Sequence, residues 1–133
     1  MINKSKKILC EISPGDLLDK ISILEIKINK IKDKNHLKEI NKEYKLLIKA
    51  KNQNIRSSNK INKLSHQIKK INLNLWNIED KIRICEKEKD FGEKFIKLAR
   101  NVYFNNDKRA KIKLRINKIL GSNIKEIKQY VNY

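Results

Sequence analysis

The stretch "SPGDLLDKISILEIKINKI", residues 13–31, decides the fold class because it places apolar residues on two sides of one helix. Leu17, Ile21 and Leu24 begin a series with steps of four and three, which is the spacing of a packed helical seam. Ile23 and Ile26 lie on the opposite side of the same helix. A helix that is apolar on two faces is expected to lie between neighbouring helices, so its charged residues should meet those neighbours.

The remaining chain also follows the helical period, with breakers at the predicted ends. Ser13 and Pro14 are suited to the N-cap and first position of the helix that runs to about residue 31. A second helix is predicted from residue 37, and a third of about 30 residues is capped by Ser57 or Ser58 and carries the apolar series from Ile61 to Ile82. A fourth follows Asp90 and a fifth runs from Asn106 to Gly121, followed by a last turn. Alternation at residues 8–12 permits a short strand. The prediction is a single all-α domain over residues 1–133, an antiparallel bundle of about five helices.

The net charge of +18 would ordinarily indicate binding to nucleic acid or anionic membrane. We discount this charge because the composition is dominated by residues with AT-rich codons, namely 28 Lys, 23 Ile and 17 Asn. The lysines also surround the helices and do not form one stripe. No apolar run is long enough for a membrane span, and the two cysteines fit neither a disulfide framework nor a CxxC site. We therefore expect a cytoplasmic protein without a metal or cofactor.

Charge enters the third helix halfway along its inner stripe. Glu79 and Glu86 share the stripe of Leu75 and Ile82, and Arg83 lies at its margin, four residues after Glu79. Charged residues of the first, fourth and fifth helices border the corresponding faces. The candidate site comprises Asp19, Lys20, Glu25, Lys27, Glu79, Arg83, Glu86, Arg100, Arg109 and Lys113.

Two interpretations of these charges remain open. They form either a salt-bridge network that fixes the register of the helices or a pocket for an anionic small molecule, with Trp76 as a core or pocket wall. Since an unpaired buried charge is costly, the network interpretation predicts that Arg83→Ala destabilises the protein by about 3 kcal/mol.

Four blocks of the sequence resemble one uncharacterised bacterial family, a domain of unknown function. The blocks are "SPGDLLDKISILEIK", "LWNIEDKIRICE", "DFGEKFIKLARNVY" and "NDKRAKIKLRIN", which match SPGELLDK, LWxIED, DFGxxFIxLAR and NDxRAxxK patterns over about residues 12–32 and 75–118. Asp16 stands where the family usually has Glu. The resemblance implies an association with the glycosyltransferases of surface-polysaccharide gene clusters, but no activity.

The leading functional hypothesis is an accessory or binding protein of cell-surface polysaccharide biosynthesis, whose charged pocket takes an anionic small molecule or a sugar nucleotide. The alternatives are a small helical enzyme that uses the pocket in a chorismate-mutase-like way, by analogy only, and a nonspecific nucleic-acid-binding protein. A glycosyltransferase is an expected partner. A homodimer is also expected, because the first helix is too short to cover the apolar seam of the third around Ile61, Leu64 and Ile68.

Overall fold

A computed structural model describes residues 5–133 and shows four helices there. They are α1 (Pro14–Lys30), α2 (Lys34–Asn54), α3 (Asn59–Glu88) and α4 (Glu93–Ile119). The first three begin at side-chain caps, since Ser13, Asp33 and Ser58 each accept a hydrogen bond from a backbone N–H of the first turn. The prediction of an all-α bundle is confirmed.

The central element of the bundle is α1, which packs against each of the other three helices, while α3 and α4 form an antiparallel hairpin. Gly15 of α1 lies beside Asn117 of α4, and Asp19 lies beside Arg109. Therefore α1 runs antiparallel to α4 and parallel to α3. As predicted, α1 is apolar on two faces because it has neighbouring helices on more than one side.

The buried core lies where α1, α3 and α4 meet. Leu18 packs there with Ile61, Leu64, Ile68 and Ile116. Each aliphatic side chain buried in this way stabilises the fold by about 1.5–3 kcal/mol. The seam of α3 that was expected to leave apolar surface around Ile61, Leu64 and Ile68 is thus covered within a single chain, and that reason for a dimer was wrong.

Residues 93–119 form one helix where two were predicted, so the helix count of about five was wrong. Asn106 was expected to cap a separate fifth helix. Instead, the polar side chains in the middle of α4 have other partners: Asn105 donates to the carbonyl of Asn101, and Asn106 accepts from Arg109. Neither glycine nor proline interrupts the segment, so the helix continues. Gly92, rather than Asp90, is the N-cap residue of α4.

Residues 5–13 and 122–133 carry no regular secondary structure. Residues 5–133 contain no strand, and the segment 8–12 is exposed without a strand to pair with, so the strand predicted there was wrong. The turn predicted from Ser122 is not helical either. None of the helices in residues 5–133 combines the length and the low polarity of a bilayer-spanning segment.

Because α1 is shorter than α3 and α4, the part of the α3–α4 hairpin beyond Arg83 has no third helix beside it in the described part of the chain. Parallel helices rise equally per residue, so the pairing of Asp19 with Asn72 places Lys30, the last residue of α1, level with Arg83. Between residues 73 and 115 only Cys85 is buried. We call residues 73–115 the hairpin arm.

Candidate functional site

A polar cluster lies between α1, α3 and α4, directly beside the apolar core. Its centre is the buried Asn72, whose Nδ2 donates to Asp19 Oδ1 at 2.8 Å and to Ser22 Oγ at 2.7 Å. Ser22 Oγ in turn donates to the backbone carbonyl of Asp19 at 2.7 Å. Both amide hydrogens of Asn72 are therefore used, and Asn72 cross-links α1 to α3.

Arg109 joins α4 to this cluster. Its Nη1 donates to Asn72 Oδ1 at 3.0 Å, its Nη2 donates to Asn106 Oδ1 at 3.0 Å, and Asp19 Oδ1 lies 4.0 Å from Nη1. Only 25% of the Arg109 side chain is exposed. Its guanidinium group is thus held in one orientation mainly by neutral amide oxygens, with one carboxylate at the limit of ion-pair distance.

Lys113, one helical turn further along α4, is the cation shared by several acids. Its Nζ lies 2.6 Å from Asp16, 3.7 Å from Asp19 and 3.1 Å from Glu126, and only 13% of the side chain is exposed. Burial by itself lowers the pKa of Lys113, but hydrogen bonds to Asp16 and Glu126 and the charge of Asp19 outweigh it, so the pKa lies above that of a free lysine. Lys113 is therefore held in its charged form.

The end of the cluster is fixed by a close contact between α1 and α4. Gly15 N–H donates to Asn117 Oδ1 at 2.7 Å, and both residues are buried. A Cβ atom on residue 15 would lie only 2.7 Å from the carbonyl oxygen of Lys113. The absence of a side chain at Gly15 therefore sets the separation of the two helices beside Lys113.

The polar cluster opens into a cleft of about 390 Å³ between α1 and the hairpin arm. Asn72 and Arg109 contribute to both the cluster and the cleft. We call it the Trp76 cleft, and its lining residues are Ile23, Ile26, Asn72, Leu75, Trp76, Glu79, Asp80, Arg83 and Arg109.

Five of the ten residues predicted from sequence reach the cluster or the cleft. Asp19, Arg109 and Lys113 belong to the cluster, whereas Glu79 and Arg83 line the outer part of the cleft. The cluster and the Glu79–Arg83 pair both border the cleft, but Glu79 and Arg83 form no ion pair with α1.

The other five predicted residues lie elsewhere. Glu25 accepts a hydrogen bond from the Tyr44 hydroxyl of α2 and pairs with Lys69 of α3. Burial, together with this contact with the carboxylate, raises the pKa of Tyr44. Lys27 borders α2, and Lys20 is exposed. Two more belong to the arm surface: Glu86 pairs with Lys89, and Arg100 stacks over Phe104. The expectation that all ten charges meet was wrong.

The charges in the second half of α3 lie beside the cleft or beyond the end of α1. The stripe of α3 that contacts α1 at Asn72 continues as Glu79, Arg83 and Glu86. Glu79 is level with Ile26 across the cleft, whereas Arg83 and Glu86 lie at and beyond the end of α1. Arg83 is 71% exposed and pairs with Glu79 at 2.5 Å on the surface. The predicted pairing of Arg83 with Glu79 is present, but the pair lies on the surface and not in the seam, so the buried network expected around it was wrong.

Sequence reasoning missed the uncharged members of the cluster. Ser22, Asn72, Asn106 and Asn117 carry no charge, and Glu126 lies outside the predicted seam. The sequence contains no signal for Asn72, because Ile68, Ile71 and Leu75 continue the apolar stripe of α3 past it without a break. Among residues 5–133, every fully buried side-chain nitrogen and oxygen atom has a hydrogen-bond partner. No three acidic, histidine or cysteine side chains in that range could hold a metal ion together.

The fold and site define the class of protein: a small all-α bundle with a largely apolar interhelical cleft that has one aromatic wall and a few charged groups. The chain belongs to DUF6165, a family of unknown function, whose family model matches residues 8–132. No curated protein and no solved structure matches it significantly. Its function has to be inferred from the chemistry of the site.

Proposed function

We propose that this chain is a non-catalytic binding protein whose Trp76 cleft takes an anionic carbohydrate, such as a sugar phosphate or a sugar nucleotide. Its place would be cell-surface polysaccharide biosynthesis, beside a glycosyltransferase partner. The link to polysaccharide biosynthesis and to a glycosyltransferase rests on the resemblance of the four sequence blocks, whereas the ligand class rests on the cleft.

The lining of the cleft supports a ligand with apolar faces, hydroxyl groups and a negative charge. Trp76 and the neighbouring aliphatic side chains offer a flat apolar wall on which the C–H face of a sugar ring can pack. Glu79 and Asp80 are acceptors for hydroxyl groups, and Asn72 is an amide at the inner end. Small-molecule sites typically combine an apolar wall with a few polar groups in this way.

Arg109 is the observation that carries the proposal. It is fixed by Asn72 and Asn106, so it keeps its position when the cleft is empty. A guanidinium group has five N–H donors, and these two contacts do not use them all. Arginine binds phosphate and carboxylate groups through paired hydrogen bonds, and a pre-positioned one loses little entropy on binding.

The fluorescence of Trp76 provides a direct test, because it is the only tryptophan of the chain and lies in the cleft. Titration with UDP-glucose or glucose 1-phosphate should change the emission in a saturable way, whereas glucose alone should bind more weakly because it lacks the anion. Arg109→Gln should weaken binding by about tenfold or more, the effect of losing one charge-assisted contact.

Arg115→Gln is the matched control, since Arg115 is an exposed arginine of the same helix and lies outside the cleft. Arg83→Gln tests the outer rim with a residue whose exposure makes unfolding a poor explanation for lost binding. An unchanged emission with both anionic sugars at millimolar concentration would refute the proposal. Equal loss of binding in the Arg109 and Arg115 variants would refute the assigned position of the site.

We also propose that the protein forms a homodimer through the hairpin arm rather than through the seam first considered. Three large apolar side chains of the arm are about half exposed: Ile84 at 48%, Phe91 at 49% and Ile96 at 53%. Sedimentation equilibrium should give twice the chain mass of 15.8 kDa, and Ile84→Lys with Ile96→Lys should shift it towards the monomer. A wild-type protein that stays monomeric at micromolar concentration would contradict this.

A further inference from the structure

A second cavity lies on α4 beneath the C-terminal segment. After α4, the chain reverses at Gly121, which has a left-handed φ of 63°, and residues 122–133 return along α4. The space between them is about 830 Å³, more than twice the volume of the Trp76 cleft. We call residues 122–133 the strap and the enclosed space the strap groove.

The strap is attached to α4 at two points. Near its start, Glu126 pairs with Lys113 at 3.1 Å. At its end, the Tyr133 hydroxyl donates to Asp107, and its ring packs against Tyr103 and Phe104 with centroid distances of 5.5 and 5.4 Å. The contact with Asp107 raises the pKa of Tyr133. The groove is therefore bounded along its length by contacts that sequence reasoning did not foresee.

One face of α4 supplies both aromatic and cationic groups to the groove. Phe104, Lys108 and Lys111 recur at intervals of four and three, so they lie on the same side of the helix. Lys108 and Lys111 form no ion pair with any of residues 5–133. From the strap, Lys128 and Tyr130 line the opposite wall.

The charge of the groove differs from that of the Trp76 cleft. Four lysines line the groove, against two acids, Asp107 and Glu126; since Lys113 and Lys128 are ion-paired, the unpaired positive charge among them is that of Lys108 and Lys111. The cleft has two arginines and two acids, so its formal charges balance. A ligand of the groove should therefore carry a higher negative charge than a ligand of the cleft.

We propose that the strap groove is a nucleotide-binding site. The base would stack on the aromatic side chains, as bases do in many nucleic-acid-binding proteins. The phosphates would lie on Lys108 and Lys111, which have no acidic partner to displace. The volume is in the range of sites that enclose a ligand of this size. This site is separate from the Trp76 cleft and does not rest on the function proposed for it.

Calorimetric titrations with UDP, uridine and pyrophosphate, at about 0.15 M salt to screen nonspecific attraction, test the proposal. UDP should bind in a saturable way, and both fragments should bind more weakly because each lacks one half of the ligand. The double variant Lys108→Gln, Lys111→Gln should weaken UDP binding by about tenfold or more. Phe104→Leu should weaken UDP binding but leave pyrophosphate binding unchanged.

The matched control is Lys94→Gln with Lys97→Gln, which removes the same charge from the same helix outside the groove. If the control weakens UDP binding as much as the double variant, only the bulk charge attracts the ligand and the proposal is overturned. Pyrophosphate that binds as tightly as UDP would also overturn it, because the base would then contribute nothing. Trp76→Phe should leave UDP binding in the groove intact; its loss in that variant would place the ligand in the cleft instead.

Discussion

Replacing Gly15 with alanine should destabilise the protein by about 2 kcal/mol. The new Cβ would lie 2.7 Å from the carbonyl oxygen of Lys113 and 3.1 Å from its Cα, and these backbone atoms cannot move without shifting α4. Overpacking of this kind costs typically 1–3 kcal/mol. Separation of the helices would also weaken the buried hydrogen bond from Gly15 to Asn117, worth about 1 kcal/mol. The better helix propensity of alanine recovers at most about 1 kcal/mol.

Urea denaturation followed by circular dichroism measures this loss as a shift of the midpoint at constant slope. Gly92→Ala is the matched control, since a Cβ there would contact only the Asp90 side chain at 3.4 Å. Because Gly92 is the N-cap residue of α4 and alanine is a poorer N-cap than glycine, this control should cost about 0.5–1 kcal/mol. If Gly15→Ala is as mild as Gly92→Ala, the close approach of α1 to α4 is not what fixes the polar cluster.

Three further variants separate the buried cluster from the surface pair. Asn72→Ala should cost about 2–3 kcal/mol, because it removes hydrogen bonds to Asp19 and Arg109, and exposed Asn74→Ala should be nearly neutral in the same urea assay. Arg83→Ala should cost at most about 0.5 kcal/mol, against the 3 kcal/mol expected for a buried pair, and a larger loss would show that the pair is buried in solution. For Lys113 the folded pKa is raised, so its stabilising effect is complete below the ordinary lysine value near 10.4 and is lost as pH rises through the higher folded value. The free energy of unfolding of the wild type should therefore exceed that of Lys113→Gln by a constant amount from pH 7 to about 10, and by less above that. If the two free energies differ by the same amount at every pH, the contacts assigned to Lys113 are contradicted.

The central position of α1 within the bundle could be predicted from its sequence. Two apolar faces on one helix can be buried only by neighbours on more than one side, so residues 17–26 were sufficient to predict a central helix. The cap at Ser13 could also be predicted, and that of α3 was narrowed to Ser57 or Ser58, of which the structure uses Ser58, because a short polar side chain at the start of an apolar period satisfies a free backbone N–H.

Only about half of the polar cluster could be predicted from the sequence. Asp19, Arg109 and Lys113 carry charges near an apolar face and could be identified from the helical period. Asn72 and Asn117 could not, because an amide is buried only where specific partners lie within hydrogen-bond distance, and those partners come from other helices.

Helix continuity and burial beyond residue 75 were decided by tertiary structure. Asn106 looks like a cap locally, but its side chain accepts from Arg109, and the helix passes through it. Glu79 and Arg83 continue the inner stripe of α3 at the helical period, yet they form an ion pair with each other beside the cleft and none with α1, which ends level with Arg83. The sequence by itself determined which residues form helices and that α1 lies between its neighbours, since local periodicity and capping depend on nearby residues. Only the tertiary structure decided which charges meet, because that depends on where a separate helix ends.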